Sequence, residues 1–462
     1  MLKRITALVL AIVLLLSCFC VAEAATYKTL KKGSRGADVK KMQTALKNNG
    51  YYTLAIDGIF GKGTLAAVKA YQKANGLKVD GIAGPQTLGK LYSSTAAAAA
   101  AKPSSTATPK PDTGIPGNVQ TLLDSVKKSS GAICGTLVLS KNGKTFLTWS
   151  FGGVSEKTCF RIASITKWVT AIGLMTLYDA GKLDLDKDIS SYLGFKVRNP
   201  AFPNTPITAR MLLSHTSSLS ANASNYHPDW NRIGKNGYNP IFDKSVKPGT
   251  KYVYADYNGA LFGCLIEAIS KQSVQNYLNN KVFKPLGLTA AYSPKFLPSG
   301  TPTKDLLNKK GKVEISVKKD RNRAYNNVAD PKGNNGYTVG KLYINAESLT
   351  KLAQMMYYGG ELNGVRILKS KTVSLMEADQ KGLATSKYGL STVRLDQFDR
   401  GTWYGHQGRY SGLTSNVYYQ RETGITMALI MNGYDWKLED NVVMPAVTLL
   451  KNMEKIEKYC KQ

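Results

Sequence analysis

A chain of 462 residues exceeds the usual size of a single domain, so two domains are expected, and a hydrophobic fraction of 43% is too high for a chain without a core. The formal charge of +31 points to polyanionic surroundings, meaning nucleic acid, anionic lipid or an acidic wall polymer. Of the six cysteines, two lie near the N-terminus. The other four, Cys134, Cys159, Cys264 and Cys460, are too scattered for a disulfide scaffold and form no Cys-x-x-Cys metal pair. They read as buried thiols, with a Cys134 to Cys159 bridge as the alternative.

The N-terminus carries Lys3-Arg4, an apolar run from Ala7 to Leu16 and the small-residue site Ala22-Glu-Ala24, the layout of a secretory signal peptide over residues 1–24. The run is short for a membrane anchor. Leu15-Leu-Ser-Cys18 also matches a lipoprotein processing box, which would leave a lipid on Cys18. No later stretch is long and apolar enough to cross a bilayer. Export argues against nucleic acid as the partner, despite the charge.

Residues 25–92 contain an internal echo, Asp57-Gly-Ile-Phe-Gly61 with Thr64 and Asp80-Gly-Ile-Ala-Gly84 with Thr87. Helix-period runs, Val39–Leu46 and Leu65–Ala74, lie before and between them. Each Asp-Gly turn is expected to lead into a helix capped by its downstream threonine, giving a small all-α three-helix bundle. Together with Leu30-Lys-Lys-Gly-Ser-Arg-Gly36, Gln43 and Gly50-Tyr-Tyr52, this segment resembles the peptidoglycan-binding type 1 domain. The resemblance implies a shallow surface groove for cell-wall glycopeptide. Residues 93–117 are rich in Ala, Pro, Ser and Thr and read as an extended linker.

The remainder, 118–462, reads as one α/β (α+β) domain. A helix over Val119–Lys128 leads to strands at Ile133–Ser140 and Thr145–Phe151, joined by the hairpin signal Lys141-Asn-Gly143. The middle is mainly helix and loop. Strand character returns at Ser415–Gln420 and Ile425–Asn432, around Arg421-Glu-Thr-Gly424, which suggests one antiparallel sheet closed by both ends of the domain.

Within this domain, the strand-like Cys159-Phe-Arg-Ile-Ala163 is followed by Ser164-Ile-Thr-Lys167 and an apolar helix to Ala180. Positions three apart share a helix face, so a nucleophilic hydroxyl and an amine meet there. The spacing recurs at Ser125/Lys128, Ser316/Lys319 and Ser348/Lys351. Only the 164/167 pair lies at a strand-to-helix junction, where backbone N–H groups face a developing oxyanion. Tyr254, in Tyr252-Val-Tyr-Ala-Asp-Tyr-Asn258, offers a phenolate base if an ammonium such as Lys167 stands beside it. Gly405-His-Gln-Gly408 precedes the closing strands, its glycines letting a substrate backbone come close.

These motifs, with Leu212-Leu-Ser-His-Thr-Ser-Ser-Leu219, Pro248-Gly-Thr250, Pro285-Leu-Gly-Leu288 and Gly359-Gly-Glu-Leu-Asn-Gly364, occur in the order seen in the class C β-lactamase-like serine hydrolases. The resemblance covers nearly the whole second domain. It implies an antiparallel sheet beside a helical subdomain, Ser164 as the acylated nucleophile, Lys167 as its proton partner and Tyr254 as general acid/base. It also implies His406 as a further catalytic residue and an oxyanion hole from the N–H groups of Ser164 and Arg409, with Gln407, Gly408 and Asp256 facing the substrate. No metal and no cofactor are implied, and β-lactams become ligands to test.

Two positions depart from the family pattern. His406 stands where true β-lactamases carry a lysine, which favours a peptidase or esterase. Asp256 stands where many relatives have Asn; an ionised Asp only accepts hydrogen bonds, whereas Asn also donates. His215 is expected to be structural, and no Gly-x-Ser-x-Gly elbow is present. The leading expectation is an exported, wall-bound serine hydrolase acting on D-alanyl peptide ends of peptidoglycan, a DD-carboxypeptidase or related D-peptidase, retained among anionic wall polymers. The alternatives are a β-lactamase or esterase of the same family, and an inactive wall-binding or sensor protein.

Overall fold

A computed structural model of the protein describes residues 27–48, 51–52, 56–96, 115–221, 241–330, 336–380, 388–398, 400–435 and 437–460. The signal segment with Cys18, and the stretch 97–114 that makes up most of the linker, lie outside the described residues. The chain divides into two compact units at Pro109.

Among its described residues the first unit has three helices, α1 (Ala37–Asn48), α2 (Lys62–Ala74) and α3 (Pro85–Ala96), around a core that includes Leu30, Val39, Met42, Leu46, Phe60, Val68, Tyr71, Leu88 and Leu91. The internal echo is built on two glutamines. Gln43 Nε2 lies 2.8–3.0 Å from Tyr52 Oη, Asp57 Oδ1 and Thr64 Oγ1, which share its two N–H groups, while its Oε1 accepts from Gly58 N. Gln72 repeats the pattern with Asp80, Thr87 and Gly81 N. The threonines therefore do not cap helices as expected. Gly61 precedes α2 without a side-chain cap, and Thr64 sits inside the helix with its hydroxyl on Ile59 O. A buried glutamine amide has four polar capacities to satisfy, and the Asp-Gly turns supply the partners.

The second unit is organised on a six-stranded antiparallel sheet. Its strands are β1 (Cys134–Lys141), β2 (Lys144–Phe151), β3 (Val393–Leu395), β4 (Trp403–Tyr410), β5 (Leu413–Gln420) and β6 (Ile425–Asn432), in the order β3-β4-β5-β6-β1-β2. β1 pairs with β6, Val138 facing Ala428, so strands from both ends of the domain meet at the centre. The β1–β2 hairpin turns on Asn142 and Gly143, both at positive φ, as the Asn-Gly signal requires. His406-Gln-Gly408 lies on β4 itself, inside the sheet rather than before it.

β5 and β6 are buried along their whole length because helices cover both faces. Alternate residues of β6 separate accordingly: Ala428 and Ile430 pack toward α5 (Ile165–Asp179), α6 (Asp256–Ser270) and α7 (Ala346–Tyr357). Met427, Leu429 and Met431 pack with α4 (Gly117–Ser130), α8 (Met444–Lys451) and α9 (Met453–Tyr459). α5 is apolar on every side because it is enclosed on every side; Ile165 through Met175 are all buried. All four cysteines among the described residues are free thiols, so the Cys134–Cys159 bridge does not form. Cys134 packs in the main core and is a weak partner of Asn432, whereas Cys159 packs in a separate small cluster. No helix among the described residues is long and apolar enough to cross a membrane.

Candidate active site

The strand leading to the serine is short, only Phe160–Arg161, paired with Tyr343–Ile344. Ala163 then takes φ +50°, a left-handed conformation costing on the order of 1 kcal/mol for a residue with a Cβ. This turn sets Ser164 immediately before the first residue of α5. β4 approaches the same turn at Gly408. A Cβ there would lie 2.2 Å from Ile162 O and 3.0 Å from Ser164 N, so only glycine lets the strand backbone pass beside the serine.

Lys167 is fully buried and close to Ser164: its Nζ is 3.0 Å from Ser164 Oγ, 2.8 Å from Val339 O and 2.7 Å from Asp256 Oδ1. An ammonium has three N–H groups, and here three acceptors lie within reach. Gly259 makes room for the side chain, since a Cβ at that position would lie 2.8 Å from Lys167 Cγ. Burial works hardest against the charge on Lys167. Tyr254 and then Asp256, by charge and by hydrogen bonding, outweigh it and hold the pKa above the ordinary lysine value.

Tyr254 lies beside this ammonium, its ring centroid 5.4 Å from Nζ. The other face of its position is set by His215, whose ring stacks on Tyr254 at 4.2 Å with 19° between the planes. His215 Nδ1 is held by Ala255 N at 3.1 Å and Asn258 Nδ2 at 2.9 Å. Both partners donate, so Nδ1 is the acceptor and burial keeps the ring neutral. His215 is thus structural and also stands against the tyrosine, on a tight turn with φ +55°.

His406 is buried and its pKa is pushed down to about 3, mainly by burial. Its Nδ1 is 2.7 Å from Gln407 O, which only accepts, so Nδ1 carries the proton. Nε2 then accepts the hydroxyl of Tyr388 at 3.0 Å. A neutral imidazole occupies this position, not a cation.

Ser164, Tyr254, Asp256, His406, Gln407 and Arg409 all line one cleft of about 980 Å³, with Tyr252, Tyr388, Lys251 and Arg394 among its other walls. Gln407 is tied through Nε2 to Asn441 O on the cleft rim. The structure therefore brings together the residues expected from the sequence, with Lys167 beneath them. Three contributors carried no readable signal: Val339 through a backbone carbonyl, Gly259 through its missing side chain, and Tyr388 as one of 26 tyrosines.

A layered antiparallel sheet with a serine and a buried lysine at a strand-to-helix turn defines a class of serine hydrolase. The chain belongs to the β-lactamase family, whose model matches residues 119–447, and a putative peptidoglycan binding domain matches residues 35–91. Protein flp of Staphylococcus aureus (strain N315) is 29% identical over 168 residues, a third of this chain and a third of that protein. The chain thus spans about a third of the length of such curated relatives. Penicillin-binding protein 4 of Amycolatopsis lactamdurans is 26% identical over 293 residues, 61% of this chain and 74% of that protein. Among solved structures, the octameric penicillin-binding protein homologue from Pyrococcus abyssi matches with TM-score 0.57 and 19% identity, covering 74% of this chain and 77% of that one. D-amino acid amidase from Ochrobactrum anthropi SV3 matches with TM-score 0.54 and 21% identity over 74% and 98%. At these identities the structures share the fold.

Proposed function

We propose that this protein is an exported hydrolase that cleaves D-alanyl peptide ends of peptidoglycan through an acyl-enzyme on Ser164. Its N-terminal unit would hold it on the cell wall, raising the local concentration of substrate for the tethered second unit. The observation that carries the reading is the wholly buried Lys167 ammonium 3.0 Å from Ser164 Oγ.

In this reading Lys167 does not take the serine proton, because its own N–H groups already point at Ser164 Oγ, Val339 O and Asp256 Oδ1. Its charge lowers the cost of negative charge on neighbouring oxygens. Tyr254 is the base: as a phenolate, its negative charge stabilised by the ammonium beside it, it accepts the Ser164 proton as the hydroxyl attacks. It returns the proton to the leaving amine, and water then releases the acyl group by the same route. The N–H groups of Ser164 and Arg409 receive the oxyanion, at the place where Gly408 lets β4 run beside the turn. His406, neutral and bonded to Tyr388, offers no positive charge at the position where β-lactamases of this family carry lysine, which favours the peptidase over the β-lactamase.

The test is labelling with a fluorescent penicillin, together with D-alanine release from a D-alanyl-D-alanine peptide, for the wild type and Ser164→Ala. An adduct and release that both vanish in the variant are expected. Absence of any Ser164-dependent adduct and of D-alanine release would sink the reading.

A further inference from the structure

His406 stands in the cleft wall with both ring nitrogens engaged inside the protein. Its Nδ1–H is held by Gln407 O at 2.7 Å and its Nε2 by the Tyr388 hydroxyl at 3.0 Å. A neutral imidazole has one donor and one acceptor, and these two bonds use them. Because the Gln407 carbonyl can only accept, Nε2 is the acceptor, and the direction of the second bond is fixed: Tyr388 donates.

That direction determines what Tyr388 can offer a ligand. Tyr388 lines the same cleft as Ser164 and Tyr254. Burial, followed by the charges of Tyr254 and Tyr252, holds its pKa well above the ordinary tyrosine value and outweighs the lowering by Ser391. Tyr388 therefore keeps its proton, and that proton is on His406. The hydroxyl is left with acceptor capacity on its oxygen, strengthened because an O–H that donates to imidazole is polarised.

The tyrosine is held firmly in this position. Its ring centroid lies 5.3 Å from that of His215, edge to face, and 5.5 Å from that of Tyr252. The turn that follows, 389–392, closes with Gly389 N on Thr392 O at 2.8 Å. It is pinned by Leu390 N on Met376 O at 2.9 Å and by Ser391 N on Leu213 O at 2.7 Å. Ser391 takes φ +53° within this turn, and a Cβ at Gly389 would lie 2.1 Å from Met376 O. A strained residue persists where its surroundings over-determine it, and such strain gathers at ligand sites. Leu213 is two residues before His215, so the turn beside Tyr388 is tied to the segment whose histidine backs Tyr254.

We propose that Tyr388 is the residue of this corner that meets the substrate, its oxygen accepting an amide N–H of the bound peptide, and that His406 is a positioning residue acting through it. This role rests on the reading of Ser164 as the nucleophile for a peptide. It replaces the direct catalytic part that the family resemblance implies for His406.

The test is calorimetric binding to the full chain carrying Ser164→Ala, so that the ligand is not consumed. Three ligands are compared: acetyl-D-alanyl-D-alanine and the two analogues in which an ester oxygen replaces its first or its second amide N–H. One analogue is expected to bind about tenfold more weakly than the peptide. Adding Tyr388→Phe, which keeps the ring against His215 and Tyr252, should bring the peptide down to that analogue. His406→Leu, which cannot accept the Tyr388 hydroxyl, should shrink the gap to about threefold, with no further loss when Tyr388→Phe is also present. His406→Gln keeps an acceptor and should restore most of the gap.

Equal affinity for the three ligands, or a tenfold gap that survives Tyr388→Phe, overturns the proposal. Tyr388→Phe decides this whether or not His406→Leu folds, and melting temperatures are measured for each variant. A His406→Leu loss that adds in full to that of Tyr388→Phe also overturns it, by returning His406 to direct contact. Failure of the hydrolase reading shows separately, as absence of a penicillin adduct in the wild type.

Discussion

Ser164/Lys167 and Ser348/Lys351 have the same spacing, and both stand at the start of a helix in the same unit. In α7 the Ser348 hydroxyl accepts Thr289 N at 3.0 Å, and Lys351 turns to Glu347 at 3.1 Å, one turn back on the same helix. Serine and lysine there serve separate neighbours. In α5 the lysine side chain is wholly buried, and the groups around its ammonium include the serine, a carbonyl, one carboxylate and Tyr254. Spacing brings two side chains near each other. Burial then determines whether the amine spends its hydrogen bonds on the hydroxyl.

The largest test of this contrast removes the two amines. Lys167→Met should lower the rate of penicillin acylation by about 10²–10⁴-fold, whereas Lys351→Met should leave it within about twofold. Equal losses would mean that the buried amine has no special part. Next in size is Tyr254→Phe, which keeps the ring against His215 and deletes only the hydroxyl. A fall in kcat of about 10²–10³-fold with an unchanged melting temperature is expected, and a variant of near wild-type activity would move the base elsewhere.

Asp256→Asn sharpens the contrast further. The Lys167 pKa is raised in the folded protein, so its charge contributes stability that is fully present below the unfolded lysine value of about 10.4 and is lost as pH rises through the higher folded value. Removing the carboxylate lowers that folded pKa. The alkaline limb of activity should move to lower pH, and the variant should be less stable than the wild type at neutral pH, the gap closing above about pH 10. Because the Asp256 side chain is 42% exposed, the neutral-pH difference should be no more than about 1 kcal/mol.

The smallest effect concerns His406. Its folded pKa is about 3, below the unfolded histidine value of about 6.5. Its contribution to stability is therefore complete above pH 6.5 and lost as pH falls from there toward 3. Proton NMR of the ring should show no titration between pH 5 and 8. A midpoint near 6.5 would contradict the buried Tyr388–His406 pair.

Much of this organisation is legible in the chain. The duplicated Asp-Gly turns announce a repeat, Asn142-Gly143 a hairpin, and the largely apolar run after Lys167 a helix. These are local signals, set by backbone sterics and hydrophobic periodicity, and they survive without knowledge of the neighbours. The motif order also carries the family.

What the sequence could not decide is who partners whom. Thr64 and Thr87 have the residue type of helix caps, yet Gln43 and Gln72 claim them, because a buried amide must find its partners wherever the fold provides them. The pair of strand-neighbouring cysteines lies in two separate clusters. Val339, 172 residues beyond Lys167, enters the site through a carbonyl that no side-chain pattern records. The charge state of Lys167 and the neutrality of His406 follow from burial and from groups distant in sequence, both properties of the packed structure. Residue types and spacing determined which chemistry the chain holds; only tertiary packing, by excluding water around Lys167 and setting Asp256 and Tyr254 beside it, decided where the proton resides.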